Sequence, residues 1–347
     1  MSNLPPSGEI PRGAIRFNTD SNKPELWDGS QWAEFQLSTP NLGQDSDTQP
    51  GARGVWAGGL NPSGGGYQNV IDYGNIASVG NAIDFGNLTL SRGMLAAVAS
   101  NSRGVFMGGY AGTPRKDTMD FITFASTGNA TDFGNLIAGT SRAAAVSNQT
   151  RGVIGGGDTD SPGTGGVTTI NYITIASTSG SIDFGELNTI AKVHTSASSP
   201  VRGVFAGGQN PALQSLIQFI TIPTLGNAQV FGDLSANRNG YSQGASNPIR
   251  GLFFGGAEPG TVNTIEYVTF STTGDAVNFG DLTAATDTPA GCSDSVRAVT
   301  GGGVVGPARV NTMNMVTIMT EGDAVDFGDL TVARNNLTAT SNAHGGL

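Results

Sequence analysis

The chain contains 347 residues, with 17 Lys or Arg against 27 Asp or Glu, so its formal net charge is −10 and charged residues make up only 13% of it. An acidic chain is a poor partner for a phosphate backbone, so we expect it to bind no nucleic acid. A single cysteine excludes an internal disulfide, and the sequence has neither a signal-peptide pattern nor a long apolar run, so we expect neither signal-directed secretion nor a membrane span.

The first fifty residues begin with a short β-sheet pattern. Apolar and polar residues alternate over Ala14–Phe17, turn-forming residues follow, and a second strand pattern at Glu25–Trp27 completes a predicted β-hairpin. Asp28-Gly29 predicts another tight turn before Trp32–Phe35. We therefore expect a small β-hairpin module over residues 1–37.

This module resembles a short element found in structural proteins of tailed bacteriophages, especially those that infect marine cyanobacteria. The resemblance runs from Gly13 to Trp32 and rests on Gly-Ala-Ile-Arg-Phe-Asn-Thr-Asp, an acidic-aromatic strand, Asp-Gly and a Trp. It implies that the segment docks to other virion proteins or joins copies of the chain. Fibre-like phage proteins that resemble this one commonly trimerise, so a homotrimer is expected.

Four aromatic side chains, Phe17, Trp27, Trp32 and Phe35, favour the same interpretation. So short a segment cannot bury them in a core of its own. They are stable only where another surface covers them, either the same segment of neighbouring subunits or another protein. Residues 38–52, which are rich in Pro, Gly and polar side chains, are then predicted to form a linker.

Six repeats occupy the rest of the chain. Each opens with Arg-Gly, an apolar stretch and a Gly doublet, except that Ala298 replaces the first Gly of the sixth copy. The opening residues are Arg53, Arg103, Arg151, Arg202, Arg250 and Arg297. Each copy later carries Phe-Gly-x-Leu, at Phe85, Phe133, Phe184, Phe231, Phe279 and Phe327. Successive Phe residues lie 48, 51, 47, 48 and 48 positions apart, a period typical of β-propellers with one blade per repeat.

Each repeat predicts four strands, of which the apolar stretch is the first. Ile170–Ile175 and Ile265–Phe270 show the period-two alternation of β-branched and aromatic residues that indicates the next. After a Gly-containing turn comes the strand with Phe-Gly-x-Leu, whose Phe residues we expect to be buried between adjacent blades. The last strand, such as Arg142–Asn148, is rich in small residues, because innermost blade strands crowd around the central channel.

The unit resembles a kelch repeat over residues 53–343, although Phe stands where kelch repeats usually carry Trp. The resemblance implies that the small-residue strand is innermost and precedes the Gly-Gly strand. The first repeat starts at Arg53 without that inner strand, so Arg334–Asn342 should complete the blade that contains Arg53–Gly59. We thus expect an all-β, six-bladed kelch-like propeller over residues 53–347, closed by its C-terminal strand.

No catalytic, cofactor-binding or metal-binding residues are predicted. The two histidines, His194 and His344, and the lone Cys292 cannot form an ordinary zinc site, and Cys292 is expected to be buried in an inner strand. Gly-rich runs such as Gly155–Gly157 lack the context of a phosphate loop and are interpreted as propeller turns.

Acidic or amide side chains flank the repeated Phe-Gly pair. They are Asp84, Asp132, Asp183 and Asp326 before it, and Asn87, Asn135, Glu186, Asp233, Asp281 and Asp329 after it. A ring of carboxylates could bind a cation, but Asn in several copies favours a role in capping turns. The repeated Arg is interpreted as a structural residue that pairs with a carboxylate of a neighbouring blade.

These features favour a non-enzymatic protein on the surface of a phage virion assembled in the host cytoplasm, such as a tail fibre or adhesin. The N-terminal module would dock to the virion, and the loops after the Gly-Gly strands would bind a host receptor or glycan. These loops are Leu60–Gln68, Tyr110–Asp117, Asp158–Thr168, Gln209–Ser215, Ala257–Val262 and Val304–Val310. The alternatives are a capsid decoration protein and a propeller enzyme that degrades glycans, which would need paired carboxylates.

Overall fold

The computed structural model describes residues 11–18, 23–34, 52–61, 66–160, 166–240 and 243–347. Over these ranges the chain is all-β and contains no helix. It divides into two compact units, Met1–Gln44 and Asp45–Leu347, and the boundary between them falls inside the predicted linker. Phe35 and nearly all of that linker lie outside the described residues.

The N-terminal unit contains a three-stranded antiparallel sheet. Its strands are Ile15–Asn18, Lys23–Trp27 and Trp32–Glu34. The turn before the third strand forms because the Asp28 carboxylate accepts hydrogen bonds from the backbone N–H groups of Ser30 and Gln31, at 2.7 and 2.8 Å. The hairpin predicted from the sequence is therefore present, and a third strand extends it.

The second unit is a six-bladed propeller in which every blade is a four-stranded antiparallel sheet, as predicted. We number the blades 1 to 6 by their Arg-Gly strands and describe the strands from the centre outward. The inner strands are Thr338–Ser341, Ala96–Ala99, Ala144–Ser147, Thr195–Ser198, Ala245–Ser246 and Ala290–Ser293. The second strands are Arg53–Ala57, Arg103–Met107, Arg151–Gly155, Arg202–Ala206, Arg250–Phe254 and Arg297–Gly301.

The two peripheral strands of each blade follow in the same order. The third strands are Val70–Asn75, Thr118–Thr123, Thr169–Thr174, Leu216–Thr221, Thr264–Thr269 and Thr312–Thr317. The outer strands are Ile83–Asn87, Thr131–Asn135, Ile182–Glu186, Gln229–Asp233, Val277–Asp281 and Val325–Asp329. Three pairs of two-residue strands lie in the connections, Thr140–Ser141 with Asp158–Thr159, Ala257–Glu258 with Gly260–Thr261, and Val304–Val305 with Ala308–Arg309.

Blade 1 is assembled from the two ends of the repeat array. Its inner strand, Thr338–Ser341, pairs antiparallel with Arg53–Ala57, with Thr338 opposite Ala57 and Ser341 opposite Gly54. The pairing joins two strands that lie at opposite ends of the propeller sequence. The inner strand is shorter than the predicted Arg334–Asn342, because Arg334 and the three residues after it form the connection from blade 6.

Six apolar clusters lie between the blades, and each draws its side chains from two adjacent blades. The cluster between blades 6 and 1 contains the buried Trp56, whose indole N–H donates to the Ala290 carbonyl at 3.0 Å. The repeated Phe residues are confirmed as interblade residues, since Phe133, for example, is 2% exposed. In blades 1 to 5 each packs edge-on against an aromatic ring of the third strand, at 5.6–6.1 Å between centroids.

The Gly of Phe-Gly-x-Leu allows close contact between blades. Gly86 has a φ of +146° within a bulge of the outer strand, and a Cβ there would lie 2.3 Å from the carbonyl oxygen of Gly128 in the next blade. The next-blade turn also supplies Asn129, whose side-chain oxygen accepts the backbone N–H of Asn87 at 3.0 Å. In this contact the residue after Gly donates its backbone N–H and the neighbouring turn supplies the acceptor. Capping of turns by the side chains that flank Phe-Gly stays a prediction.

The Arg of each Arg-Gly pair joins its blade to the next one. In blades 1 to 5 its guanidinium lies over the third-strand aromatic ring, at 4.2–5.1 Å from the centroid. It also donates to a backbone carbonyl of the following blade, as in Arg53 to Phe124 at 2.6 Å and, across the end of the array, Arg297 to Ala77 at 2.6 Å. Within the described ranges, a carboxylate partner is found for Arg250, with Glu321 at 3.5 Å, whereas the side-chain bonds found for the other repeated Arg residues go to backbone carbonyls.

Three blade interfaces contain a buried ion pair that the sequence analysis did not predict. Arg92 pairs with Asp120 at 2.9 Å, Arg334 pairs with Asp72 at 3.0 Å, and Arg238 pairs with Glu266. At the other three interfaces the corresponding residues are Thr140 with Asn171, Ala191 with Gln218, and Thr286 with Asn314. An acidic residue thus occupies the third strand only where an Arg precedes that blade, so the two positions change together from repeat to repeat.

Candidate binding surface on the Gly-Gly face

The propeller has two faces that differ in their loops. All second strands run from Arg at one face to the Gly doublet at the other, and we call these the Arg face and the Gly-Gly face. The loops predicted to carry recognition follow the Gly doublets and so lie on the Gly-Gly face, next to the connections between blades. The chain enters the propeller at Arg53, which lies on the Arg face. The first residue of the propeller and the predicted recognition loops therefore lie on opposite faces of it.

The blade connections on the Gly-Gly face carry backbone in an unusual conformation. Five non-glycine residues at equivalent positions have φ between +54° and +65°: Met94, Arg142, Val193, Thr288 and Asn336. Backbone hydrogen bonds link several of them, from the Met94 N–H to the Asn336 carbonyl at 2.8 Å and from the Arg142 N–H to the Met94 carbonyl at 3.0 Å. Each such residue costs about 1–2 kcal/mol, so the surrounding structure must hold these connections in place.

A cluster of five charged side chains lies on this face at blades 2 to 4. We call it the Asp158 cluster, and it consists of Asp158, Asp160, Arg115, Arg142 and Lys192. The Asp158 carboxylate, 4% exposed, lies 2.9 Å from Arg142, 3.5 Å from Lys192 and 3.6 Å from Arg115. Three cations thus surround one buried carboxylate.

Arg115 makes further bonds besides its contact with Asp158. Its backbone N–H and its guanidinium bind both oxygens of Asp160, at 2.6 and 2.8 Å, and its Nε donates to Ser141 at 3.1 Å. These bonds fasten the blade 2 loop to the blade 3 loop. Arg142 and Lys192 come from the two connections that flank blade 3, and their side chains are 31% and 21% exposed. Both remain in contact with solvent.

Two tyrosines lie beside the Asp158 cluster, on the loops of blades 1 and 2. The rings of Tyr67 and Tyr110 are 5.7 Å apart and nearly perpendicular. Burial raises the pKa of the Tyr67 phenol, the nearby Tyr110 adds to that increase, and the positive charge of Arg142 opposes it. Arg142 is therefore close enough to Tyr67 to interact with it, and its backbone N–H bonds to Met94, next to the Gly93 that pairs with Tyr110. The tyrosine pair and the Asp158 cluster together form an arc from blade 1 to blade 4.

Small side chains, many of them seryl, line the central channel. Seryl hydroxyls of the inner strands donate to carbonyls of the preceding blade, as in Ser246 to Ser198 at 2.8 Å and Ser293 to Ser246 at 2.7 Å. Cys292 is buried in an inner strand here, as predicted, and burial raises the pKa of its thiol well above the usual range. A hydroxyl ladder of this kind satisfies polar groups that close packing removes from water.

The residues after the last strand turn into the channel. His344 Nε2 lies 3.0 Å from the Ala99 carbonyl and 3.2 Å from the Ser147 hydroxyl, and Nδ1 accepts the backbone N–H of Gly346 at 3.0 Å. The proton is therefore assigned to Nε2. Burial lowers the pKa of His344 to about 4, so the ring is neutral at physiological pH. These residues fill the Arg-face end of the channel.

The structure disperses the other residues that the sequence analysis examined. His194 is 2% exposed and packs on the Phe205 ring between blades, far along the chain from His344. The acidic residues before Phe-Gly, such as Asp84 and Asp183, are exposed on the outer strands of separate blades. Among the described residues, no group of three or more His, Cys, Asp or Glu side chains could hold a metal ion.

The Asp158 cluster was not predicted from the sequence, although Arg115 and Asp158 lie on loops that were expected to bind a ligand. No local motif marks the cluster, since Arg115, Arg142 and Lys192 come from three different segments. The sequence feature that could have revealed the cluster is a departure from the repeat pattern at one position of the blade connections. Arg142 stands where the corresponding connections carry Met94 or Thr288, so charge at that position breaks the pattern.

Comparison with known proteins does not assign the chain to a family. No protein-family model matches it, and no curated protein sequence matches it either. In the part of the chain that the structure describes, no helix is long and apolar enough to cross a membrane.

Proposed function

We propose that the protein is a non-enzymatic component of a phage virion surface, with the propeller directed toward the host. The observation that carries the proposal is the polarity of the propeller. The chain enters at the Arg face, whereas the charged and aromatic arc from Tyr67 to Lys192 lies on the Gly-Gly face. Rigid scaffolds usually carry recognition on loops such as those of the Gly-Gly face.

The N-terminal sheet supports a docking role. Ile15 and Phe17 alternate along one strand and are 67% and 60% exposed, so one face of the sheet presents apolar side chains to solvent. The opposite face is already occupied, since Arg16 lies 4.2 Å above the Trp32 ring and pairs with Glu25 at 2.7 Å. The expectation that another surface must cover these aromatic residues needs correction for Trp27, which is only 6% exposed within the sheet. Phe17 lies on the face opposite to Trp32, so a partner that covers Phe17 does not cover Trp32.

We propose that the Ile15–Phe17 face binds another virion protein or neighbouring copies of the chain, with a trimer as the expected assembly. Apolar side chains on a small sheet are stabilised when a partner surface covers them. The resemblance of Gly13–Trp32 to phage structural proteins favours a partner within the particle, and assembly would then take place in the host cytoplasm.

The proposed host ligand is a surface glycan or receptor bound through the Gly-Gly loops. Asp158 and Asp160, the neighbouring carboxylates of this face, both contact Arg115, so the cluster is built for binding more than for acid–base hydrolysis of a glycan. A protein on the capsid would present the same loops to the outside as a protein on the tail. The location of the protein on the particle distinguishes these two roles.

The test combines location and attachment. Particles labelled with an antibody against the propeller should show the protein at the tail when viewed by electron microscopy, and the free full-length protein should compete with particles for host cells. The double variant Ile15→Ser/Phe17→Ser should fold but fail to enter particles, whereas Val79→Ser, which removes a similarly exposed residue from the propeller, should enter normally. Normal entry of the double variant would overturn the docking role, and unchanged attachment of particles that lack the protein would overturn host recognition.

A further inference from the structure

We propose that the Asp158 cluster and the Tyr67–Tyr110 pair together bind an acidic glycan, one whose sugars carry carboxylate or sulfate groups. This inference deepens the proposed function and rests on it for its biological meaning, but the binding event itself is independent of the virion.

The charge of the cluster exceeds what the buried carboxylate requires. Three cations and two carboxylates sum to +1, and Asp158 alone is approached by all three cations within 3.6 Å. One or two partners satisfy a buried carboxylate in an ordinary structural ion pair, as Arg92 does for Asp120. The third cation is therefore in excess of the structural need. It stands out in a chain whose net charge is −10.

Asp158 acts as the fixed centre that holds the cations at the surface. Its side chain is 4% exposed, while those of Arg115, Arg142 and Lys192 are 24%, 31% and 21% exposed. The buried carboxylate thus restrains three long side chains that would otherwise lose conformational freedom on binding. Cations held in this way bind an anion at a lower entropic cost than free surface cations do.

The positions of the cations suit an extended ligand. The arc follows the connections and loops of four successive blades, from Tyr67 through Tyr110 and Arg142 to Lys192. The backbone N–H of Val193, the residue after Lys192, donates to the Arg142 carbonyl at 2.9 Å. Arg142 and Lys192 therefore lie on two connections that are joined to each other. A linear chain of sugars could contact the tyrosines at one end and the cations at the other.

The residue types match the two chemical parts of an acidic sugar. Guanidinium and ammonium groups bind carboxylate and sulfate oxygens through charge-assisted hydrogen bonds. Tyrosine offers an apolar ring face to the C–H surface of a pyranose and a hydroxyl to its polar edge. The acidic outer rim, with exposed residues such as Asp84 and Asp183, would repel such a polymer elsewhere and direct it to this site.

Binding should be measured by titration calorimetry with the full-length protein. The probes are oligogalacturonate for carboxylated sugars and dextran sulfate for sulfated sugars. Neutral dextran of the same length as the dextran sulfate is the uncharged control. We expect binding of at least one acidic probe that weakens as salt rises, and no measurable binding of neutral dextran. The acidic probe that binds more tightly identifies which anionic group the site prefers.

Charge removal tests the assignment of residues. Lys192→Gln should weaken binding of the acidic probe about tenfold, because one charge-assisted contact is lost, while Asp158 keeps Arg142 and Arg115 so that the fold survives. Lys192→Arg should retain binding. The matched control is Arg309→Gln, which removes a cation from blade 6 on the same face, where Arg309 binds Asn335 at 2.6 Å, and it should change affinity less than twofold.

The inference would be overturned by no binding of either acidic probe, by equal binding of neutral dextran, or by equal losses of affinity for Lys192→Gln and Arg309→Gln. Equally tight binding of duplex DNA would also overturn it, since the surface would then recognise anionic polymers in general. If acidic probes fail to bind but the free protein still competes with particles for cells, this inference fails and the proposed function stands. If the acidic probes bind but the free protein does not compete with particles for cells, this inference stands and the proposed function fails.

Discussion

Replacing Arg92 with Thr should lower the free energy of unfolding by about 3–5 kcal/mol, the usual cost of breaking a buried ion pair. The guanidinium lies 2.9 Å from the Asp120 carboxylate and also donates to the carbonyl oxygens of Thr118 and Phe106, at 2.7 and 3.2 Å. Neither ionised side chain has exposed surface, so water cannot replace the lost contacts. The substitution would leave an uncompensated carboxylate between blades 1 and 2.

The chain contains its own neutral version of this interface. Between blades 5 and 6, Thr286 and Asn314 occupy the two positions of the ion pair. Thr283 there donates to the Asn314 side-chain oxygen at 2.5 Å, just as Thr89 donates to Asp120 at 2.5 Å. The backbone around the pair is therefore compatible with a threonine and an amide, and no buried charge remains.

The double variant Arg92→Thr/Asp120→Asn should consequently lose less stability than the sum of its two single variants, by at least about 2 kcal/mol. Its remaining loss reflects space that the smaller Thr leaves unfilled. Guanidinium chloride unfolding followed by tryptophan fluorescence and circular dichroism gives the four free energies of the cycle, and coincident transitions check that unfolding is two-state. The Arg334–Asp72 pair between blades 6 and 1 allows an independent repeat of the cycle. Single-variant losses that add within about 0.5 kcal/mol would refute the reasoning, because the two side chains would then act independently.

Three further predictions follow from buried groups. Burial lowers the pKa of His194 to about 4. The free energy of unfolding is therefore unaffected by the titration of this residue above pH 6.5 and decreases as the pH falls from 6.5 toward 4, because the unfolded chain binds a proton that the folded one does not. His194→Leu, which introduces the residue found at the equivalent Leu95 of blade 2, should remove about 3 kcal/mol of this pH dependence. An unchanged pH profile for this variant would contradict the assignment. His344, whose pKa burial also lowers to about 4, contributes a pH dependence that this variant leaves in place. Phe133→Ala should cost about 3–5 kcal/mol by denaturant unfolding, whereas the exposed Ile137→Ala should cost less than about 0.5 kcal/mol. Deletion of residues 334–347 should lower and broaden the calorimetric transition, because it removes the inner strand of blade 1; a deletion variant that melts as sharply and as high as the full chain would exclude that role.

The sequence by itself determined the architecture, because the information for each blade is local and repeated six times. Arg-Gly, the alternating third strand and Phe-Gly-x-Leu recur at a nearly constant period, so strand order, the interblade Phe residues and the small inner strands could all be predicted. The split of blade 1 between Arg53 and the C-terminal strand also followed, since the repeat count left one strand missing at one end and one extra at the other. Averaging over six copies makes such a pattern robust to single substitutions.

Only the tertiary structure decided which charged residues meet. Arg334 and Asp72 lie far apart in sequence and become neighbours because the ring brings blade 6 against blade 1. The Asp158 cluster likewise combines a loop, its neighbour and two blade connections, and His344 reaches the channel wall at Ala99. Strand formation and apolar packing depend on periodic patterns that a chain carries along its length, whereas ion pairs depend on the distance between single side chains. That distance is set by the closed geometry of the ring, which no local pattern specifies.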